Sequence, residues 1–289
     1  MTYTVGVLGG GTMGSGIAVV AARAGHRTIL RDLDDERVGA GLDRVTSFLD
    51  KSAALGKLPS DVAEKAKSGL SGATDLADLA DCDVVIEAIF EDVELKRRTF
   101  AELDEICKPD TLFHTNTSTL SVTAIAAGSS RPERVVGTHY CNPAPLMKLV
   151  EVVTGRQTGA DAYERTRRFL DSLGKTSVTV KDSPGFLVNR FLIPFENNCI
   201  RALEAGRGTV ESIDKAVRFG LGYPMGPFTL LDIVGLDIHR AVSLSLYEQL
   251  RDQRFAPPPL VEQMIAAGHL GRKTGRGFHT YDDARHFGS

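Results

Sequence analysis

Short β-branched runs alternate with amphipathic segments through roughly the first 180 residues, the pattern of strands separated by helices. The runs are TVGVLG (4–9), RTILRD (27–32), CDVVIEAI (82–89), TLFHTN (111–116), RVVGTHY (134–140), KLVEVV (148–153) and TSVTVKD (176–182). Strands spaced in this way predict a mainly parallel sheet with helices on both faces. One connection is too long for a single crossover helix. Between Asp32 and Cys82 lie helical patterns at 35–55 and 60–70, divided by GKLPSD, where Gly56 acts as a stop and Pro59 or Ser60 as a start. This predicts a helical arm, over about 35–70, projecting from the sheet. After KDSPGFLVNR the pattern changes to helix-like segments at 186–205, 210–220, 227–251 and 259–268, with no strand series. The expected organisation is an α/β domain over 1–183 and an all-helical domain over 184–289, with the break at Asp182–Pro184.

Composition narrows the function classes. At 42% hydrophobic and 25% charged, 289 residues suffice for a soluble two-domain protein. A net charge of -3 provides no basic field for nucleic acid or an anionic membrane. No apolar run is long enough to span a bilayer, and the chain enters its first strand too soon for a cleavable signal peptide. Cys82, Cys107, Cys141 and Cys199 are scattered, with no C-x-x-C pair and no histidine at ligand spacing. They read as reduced thiols, so a cytoplasmic setting and no metal site are expected.

The first strand runs into Gly9-x-Gly11-x-x-Gly14, which opens a helix that stops at Gly25. Gly9 permits a tight turn, Gly11 lets backbone approach a pyrophosphate, and Gly14 lets the helix pack on the sheet. The helix N-terminus then faces the diphosphate. Alone this motif is weak, but the next strand ends in Asp32, 18 residues after Gly14, where a carboxylate meets an adenosine ribose. A carboxylate there accepts hydrogen bonds from both ribose hydroxyls and repels a 2′-phosphate, so NAD is expected over NADP. Arg31 and Arg37 stand close enough to soften that preference.

Ligands of open α/β sheets lie beyond the carboxyl ends of the strands. Asn116, Thr117 and Ser118 fall at one such end, and His139 and Asn142 around the next. On its own, His139 reads as an ordinary satisfied histidine, and Glu151, twelve residues on, as an ordinary strand charge. If their strands are neighbours, the pair changes meaning. A carboxylate on one ring nitrogen fixes the tautomer and favours the imidazolium formed when the other nitrogen takes a proton. Oxidation of an alcohol by hydride transfer needs such a group.

With these residues in view, the chain resembles the L-3-hydroxyacyl-CoA dehydrogenases over nearly its whole length, most closely the stand-alone short-chain 3-hydroxybutyryl-CoA type. GGGTMGSGIA, Met13 included, resembles the family's cofactor turn. VIEAIFEDVELK is similar to the segment whose Glu91 and Lys96 line the cofactor site, and NTSTLSVT supplies Ser118, which touches both cofactor and substrate. GTHYCNPAPLMKLVEVV resembles the segment with the catalytic His139, its partner Glu151 and a cofactor-contacting Asn142. DSPGFLVNRFLIPF is similar to the junction segment in which Asn189 faces the substrate, and GRKTGRGFHTY to one in which Lys273 reaches the cofactor. The resemblance implies reversible, NAD-dependent oxidation of an (S)-3-hydroxyacyl-CoA. It also implies a CoA-docking arm, on which Lys51 and Lys57 are candidates, and a homodimer formed through the helical domain.

Three positions depart from the family pattern. Tyr140-Cys141 replaces two phenylalanines, His114 stands where a small residue is usual, and His279 replaces a tyrosine. The first bears on the pocket wall and hence on acyl specificity. Two other readings remain at this point: a dehydrogenase of a free hydroxy acid, such as a sugar acid or carnitine, and a non-catalytic NAD-binding sensor. A lysine-dependent hydroxy-acid dehydrogenase would carry its lysine where this chain reads GFLVNRFL. A sensor has no need to keep Ser118, His139, Glu151 and Asn189 together.

Overall fold

The computed structural model of the chain describes residues 2–281, in two compact units that divide after Phe186. The first unit begins β1 (Thr4–Leu8), α1 (Thr12–Arg23), β2 (Arg27–Arg31), α2 (Asp35–Ala54), α3 (Ser60–Ser68) and β3 (Leu70–Ala73). It continues β4 (Val84–Glu87), α4 (Val93–Ile106), β5 (Leu112–Thr115), α5 (Val122–Ala126) and β6 (Val135–Tyr140). β7 (Leu149–Thr154), α6 (Ala160–Ser172) and β8 (Thr176–Lys181) complete it. The strands form one eight-stranded sheet in the order β3-β2-β1-β4-β5-β6-β7-β8. Every neighbouring pair is parallel except β6 and β7, which are antiparallel.

The residues explain these elements. The central strands β4 and β6 are buried along their whole length, as a sheet covered on both faces demands. One core packs Val5, Val7, Ile17, Val45, Val136, Tyr140 and Phe169 on the α1, α2 and α6 side. The other packs Leu8, Val85, Phe100, Phe113, Val135 and Phe186 on the α4 and α5 side. Asp34 caps α2 by accepting from the Arg37 amide, and Asp92 caps α4 by accepting from that of Leu95. α2 and α3 are the two helices predicted between Asp32 and Cys82, but the helix predicted to run to 70 ends at Ser68. Leu70–Ala73 is instead an edge strand on β2. Its sequence LSGA has no alternating apolar pattern, and only pairing with β2 makes it a strand.

The second unit contains α7 (Val188–Glu204), α8 (Val210–Lys215), α9 (Pro227–Val234), α10 (Leu236–Leu250) and α11 (Pro259–Ala266). Its core gathers Ile200, Phe228, Leu231, Leu236 and Val261. The single helix predicted over 227–251 is two, because Gly235 at φ 100° takes a conformation that ends one helix and starts the next. No helix among the described residues is long and apolar enough to cross a membrane.

Candidate active site

The glycine-rich turn lies between the carboxyl end of β1 and α1. Gly9 has φ 98°, and a Cβ there would lie 2.6 Å from the Ala88 carbonyl oxygen. A Cβ on Gly14 would fall 1.8 Å from the Gly9 oxygen, so α1 can approach the turn only at glycine. At Gly11 an added Cβ meets nothing within 4 Å. The packing therefore excludes side chains at Gly9 and Gly14 but not at Gly11, where the open side is free for a ligand. This suits a dinucleotide diphosphate, with the first-turn amides of α1, around Met13, left without intrahelical acceptors.

Asp32 stands against this turn. Its Oδ2 accepts from the Gly10 amide at 2.6 Å and its Oδ1 from the Leu33 amide at 2.7 Å. The two arginines weighed as modifiers of its preference are engaged elsewhere: Arg37 pairs with Asp34, and Arg31 Nε donates to the Thr74 carbonyl at 3.1 Å. Arg44, which the sequence did not single out, reaches from α2 to donate to the Gly10 carbonyl at 2.9 Å. Ser15 Oγ donates to the same oxygen at 2.8 Å, so both the amide and the carbonyl of Gly10 are held.

His139 and Glu151 are register partners across the antiparallel β6–β7 pair. Cross-strand partners share a face, so the imidazole and carboxylate meet directly. Nδ1 lies 2.7 Å from Glu151 Oε2, and the carboxylate is wholly buried. An ionised carboxylate only accepts, so Nδ1 carries hydrogen and Nε2 keeps its lone pair when the ring is neutral. Nε2 is 3.1 Å from Ser118 Oγ, completing a row Ser118–His139–Glu151. Phe186 packs its ring 5.6 Å from the imidazole and is buried, at φ 49°, a left-handed conformation that costs a bulky residue energy. The PGF sequence marks this bend, yet only the fold shows that the ring shields His139.

Ser118 is placed by Glu91. The Glu91 Oε1 accepts from Thr117 Oγ1 at 2.6 Å, the Ser118 amide at 2.9 Å and the Thr119 amide at 3.1 Å. Burial acts to raise this carboxyl, but the Lys96 ammonium and these hydrogen bonds outweigh it and hold the group below the ordinary glutamate range. Lys96 is itself buried, its Nζ 2.6 Å from Glu87 Oε1 and 3.2 Å from Glu91 Oε2. It reaches the site through Glu91. Glu87, at the end of β4, was not anticipated: burial pushes its carboxyl up, countered in part by Lys96, and it also accepts from Thr115 Oγ1 at 2.8 Å. Asn116 Oδ1 accepts from the Tyr140 amide at 3.0 Å, tying the end of β5 to the strand of His139.

Asn142 is exposed in the connection that follows β6, and Lys51 and Lys57 are exposed on the arm. In the second unit Asn189 is half-buried near the start of α7, while Lys273 Nζ is held by both oxygens of Asp237 at 2.5 and 2.6 Å. Tyr140 does not form pocket wall, as its sequence position suggested. It points to the face opposite His139 and is buried with Val136 and Val150, a consequence of strand alternation. Cys141 alone of that pair is partly exposed. His279 bonds Asp214 Oδ2 at 3.0 Å within the second unit. Among the described residues no cluster of histidine, cysteine and carboxylate side chains could hold a metal ion.

Comparison with known proteins adds an independent observation. Residues 4–183 match the model of the 3-hydroxyacyl-CoA dehydrogenase NAD-binding domain, and residues 185–281 that of the 3-hydroxyacyl-CoA dehydrogenase C-terminal domain. A 3-hydroxybutyryl-CoA dehydrogenase of Bradyrhizobium diazoefficiens is 42% identical over 281 residues, covering 97% of this chain and 96% of its own. The crystal structure of Mycobacterium tuberculosis FadB2 superposes with a TM-score of 0.94 at 42% identity, over 97% of this chain and 100% of that one. That of (S)-3-hydroxybutyryl-CoA dehydrogenase PaaH1 from Ralstonia eutropha gives 0.91 at 39% identity, over 98% and 100%.

Proposed function

The chain belongs to the 3-hydroxyacyl-CoA dehydrogenase family, NAD being its cofactor, and we propose that it interconverts (S)-3-hydroxybutyryl-CoA and acetoacetyl-CoA with His139 as the proton-transfer group. The observation that carries this reading is the row Ser118–His139–Glu151, with His139 and Glu151 buried, in the same sheet as a turn shaped for a dinucleotide. The names of the similar proteins support the short acyl chain.

When bound on the turn, with Asp32 at the adenosine ribose, NAD supplies the hydride acceptor. His139 does the rest of the accounting for protons. In oxidation its Nε2 lone pair takes the substrate hydroxyl proton, and in reduction the same nitrogen returns it. Glu151 keeps Nδ1 protonated, so Nε2 is always the working atom, and its charge stabilises the imidazolium. Ser118, whose hydroxyl already lies on Nε2, is assigned a hydrogen bond to the reacting oxygen. Phe186 excludes water from the far side of the ring. The proposal extends to Met13 and Asn142 as cofactor contacts, to Glu91 and Lys96 as the pair that fixes the Ser118 turn, to Asn189 as a substrate hydrogen-bond partner, to Lys273 as a cofactor contact and to Lys51 and Lys57 as groups for the CoA phosphates.

A homodimer through the helical unit is part of the same reading. Phe191, Phe219, Leu221, Tyr223 and Ile238 are exposed large apolar side chains on that unit, surface that a second copy would cover. Light scattering in solution tests it, and a monomer at micromolar concentration would refute it.

The activity test is NADH oxidation with acetoacetyl-CoA, run beside NADPH and beside free acetoacetate. Turnover with the CoA ester and NADH, lost in His139→Ala while NADH still binds, is the expected result. Turnover only with the free acid would point to a hydroxy-acid dehydrogenase, and none with either to a sensor.

A further inference from the structure

β6 and β7 are joined by residues 141–148, so the connection that follows His139 is also the one that leads to Glu151. Its length and shape set the register in which the two side chains meet, since a slip of one residue would turn one of them to the other face. The connection lies on α1 at a glycine: a Cβ on Gly16 would sit 3.2 Å from Pro145 Cδ and 3.4 Å from Ala144 Cβ. Two of its carbonyls, those of Ala144 and Met147, turn inward to a single group. That group is the ammonium of Lys175, the residue before β8, which donates to them at 2.5 and 2.7 Å.

Lys175 is an unusual residue to find there. It is 7% exposed, and no carboxylate pairs with it among the described residues. Burying an ammonium without a counter-ion is costly, and inward carbonyls are the compensation on offer. We propose that Lys175 is a positioning residue for hydride transfer: its ammonium clamps the 141–148 connection from beneath, holding His139 against Glu151 and Asn142 at the cofactor end. This rests on the function proposed above. The charged and titratable groups facing the ammonium are Arg23 from α1, which also donates to the Pro145 carbonyl at 3.4 Å, and Cys141 from the connection. Burial first, and then the Arg23 charge, lower the Lys175 ammonium to about 8, while Cys141 acts the other way. The clamp is therefore charged below that pH and weakens above it, because bonds from an ionised donor are about twice as strong as neutral ones.

The test uses initial rates of (S)-3-hydroxybutyryl-CoA oxidation by NAD between pH 6.5 and 10, a direction in which a neutral His139 is wanted. Wild type, Lys175→Arg and Lys175→Met are compared, with NADH fluorescence and melting temperature reporting the folded state. We expect wild-type kcat to decline above about pH 8 and Lys175→Arg, whose guanidinium stays charged, to move that decline at least about one unit upward. Lys175→Met should lose about ten- to a hundredfold in kcat at every pH while still binding NADH, the cost of a small misplacement of reacting groups. A wild-type profile flat through pH 9, or a decline that stays in place in Lys175→Arg, overturns the proposal. So does a Lys175→Met enzyme that melts earlier but keeps wild-type kcat. If Lys175→Met does not fold, the Lys175→Arg profile decides. A wild-type protein without turnover refutes the proposed function itself, whereas an active one with unmoved variants refutes only the role of Lys175.

Discussion

His114 makes the acid stability of this protein predictable from one side chain. It lies on β5, two residues before Asn116, and is fully buried with Nε2 2.9 Å from Thr166 Oγ1. Its Nδ1 has no hydrogen-bond partner among the described residues. A proton there would add both charge and an unsatisfied donor, so the ring is held neutral. Burial first, and then the charge of Arg165, push its pKa from 6.5 down to about 3. Between those values the unfolded chain binds a proton that the folded chain refuses, so stability is present in full above about pH 6.5 and falls as the pH falls. At pH 5 the loss from this group is about 2 kcal/mol, from 1.36 kcal/mol per unit over the 1.5 units below the unfolded value. His26, also lowered by burial, adds to the loss with the same sign and so must be cancelled by comparison. Urea unfolding of wild type and His114→Ala at pH 7 and pH 5 does this. The chain contains no tryptophan, so circular dichroism is the natural probe. His114→Ala is less stable at pH 7, having lost packing and the Thr166 bond, but should lose about 2 kcal/mol less than wild type on acidification. Equal losses in the two proteins, within about 0.5 kcal/mol, would refute the argument.

Other residues give equally direct tests. Glu151→Gln should cut kcat by about a thousandfold with little change in NADH affinity, since an amide can hold the wrong tautomer of His139; near-normal turnover would remove Glu151 from the mechanism. Gly11→Ala should fold normally and weaken NADH binding about tenfold or more, whereas Gly14→Ala should unfold the turn, because only the second Cβ meets backbone. Matching melting temperatures for the two variants would contradict this. Lys96→Met leaves Glu87 buried without its cation and should cost about 3–5 kcal/mol in a denaturation measurement; a loss under 1 kcal/mol would mean that the pair is not ionised.

How much of this was legible in the chain depends on how locally each feature is determined. The turn at Gly9, Gly11 and Gly14 and its acidic partner Asp32 follow from strand, turn and helix signals that lie in one continuous stretch. His139 and Glu151 could be paired from the residues alone only on the condition that their strands were neighbours, a tertiary condition, and it was the family resemblance that named them as partners. The residues that escaped notice act over longer distances. Glu87 reads as a lone acid inside an apolar run, and nothing in the run says that Lys96 will fold back to it. Lys175 stands in an ordinary helix-to-strand turn, and Arg44 on an exposed arm. β3 was missed because LSGA takes its conformation from β2 rather than from its own pattern. Tyr140 was misplaced for a simpler reason: strand alternation, applied from His139, sends the next side chain to the opposite face.

The antiparallel step between β6 and β7 has a consequence for how the molecule is assembled. The parallel pairing of β1 with β4 joins Thr4 to Asp83 across 79 residues of chain, and the dinucleotide turn depends on it. His139 and Glu151 are only 12 residues apart, closed by a single hairpin. Loop-closure entropy rises only with the logarithm of separation, but α1, β2, β3 and the two-helix arm must also be in place for the longer closure. The proton-handling pair is therefore closed by a short-range contact, and the cofactor platform by a long-range one. The hairpin can therefore bring the acid–base pair together before the sheet that carries the cofactor turn is complete.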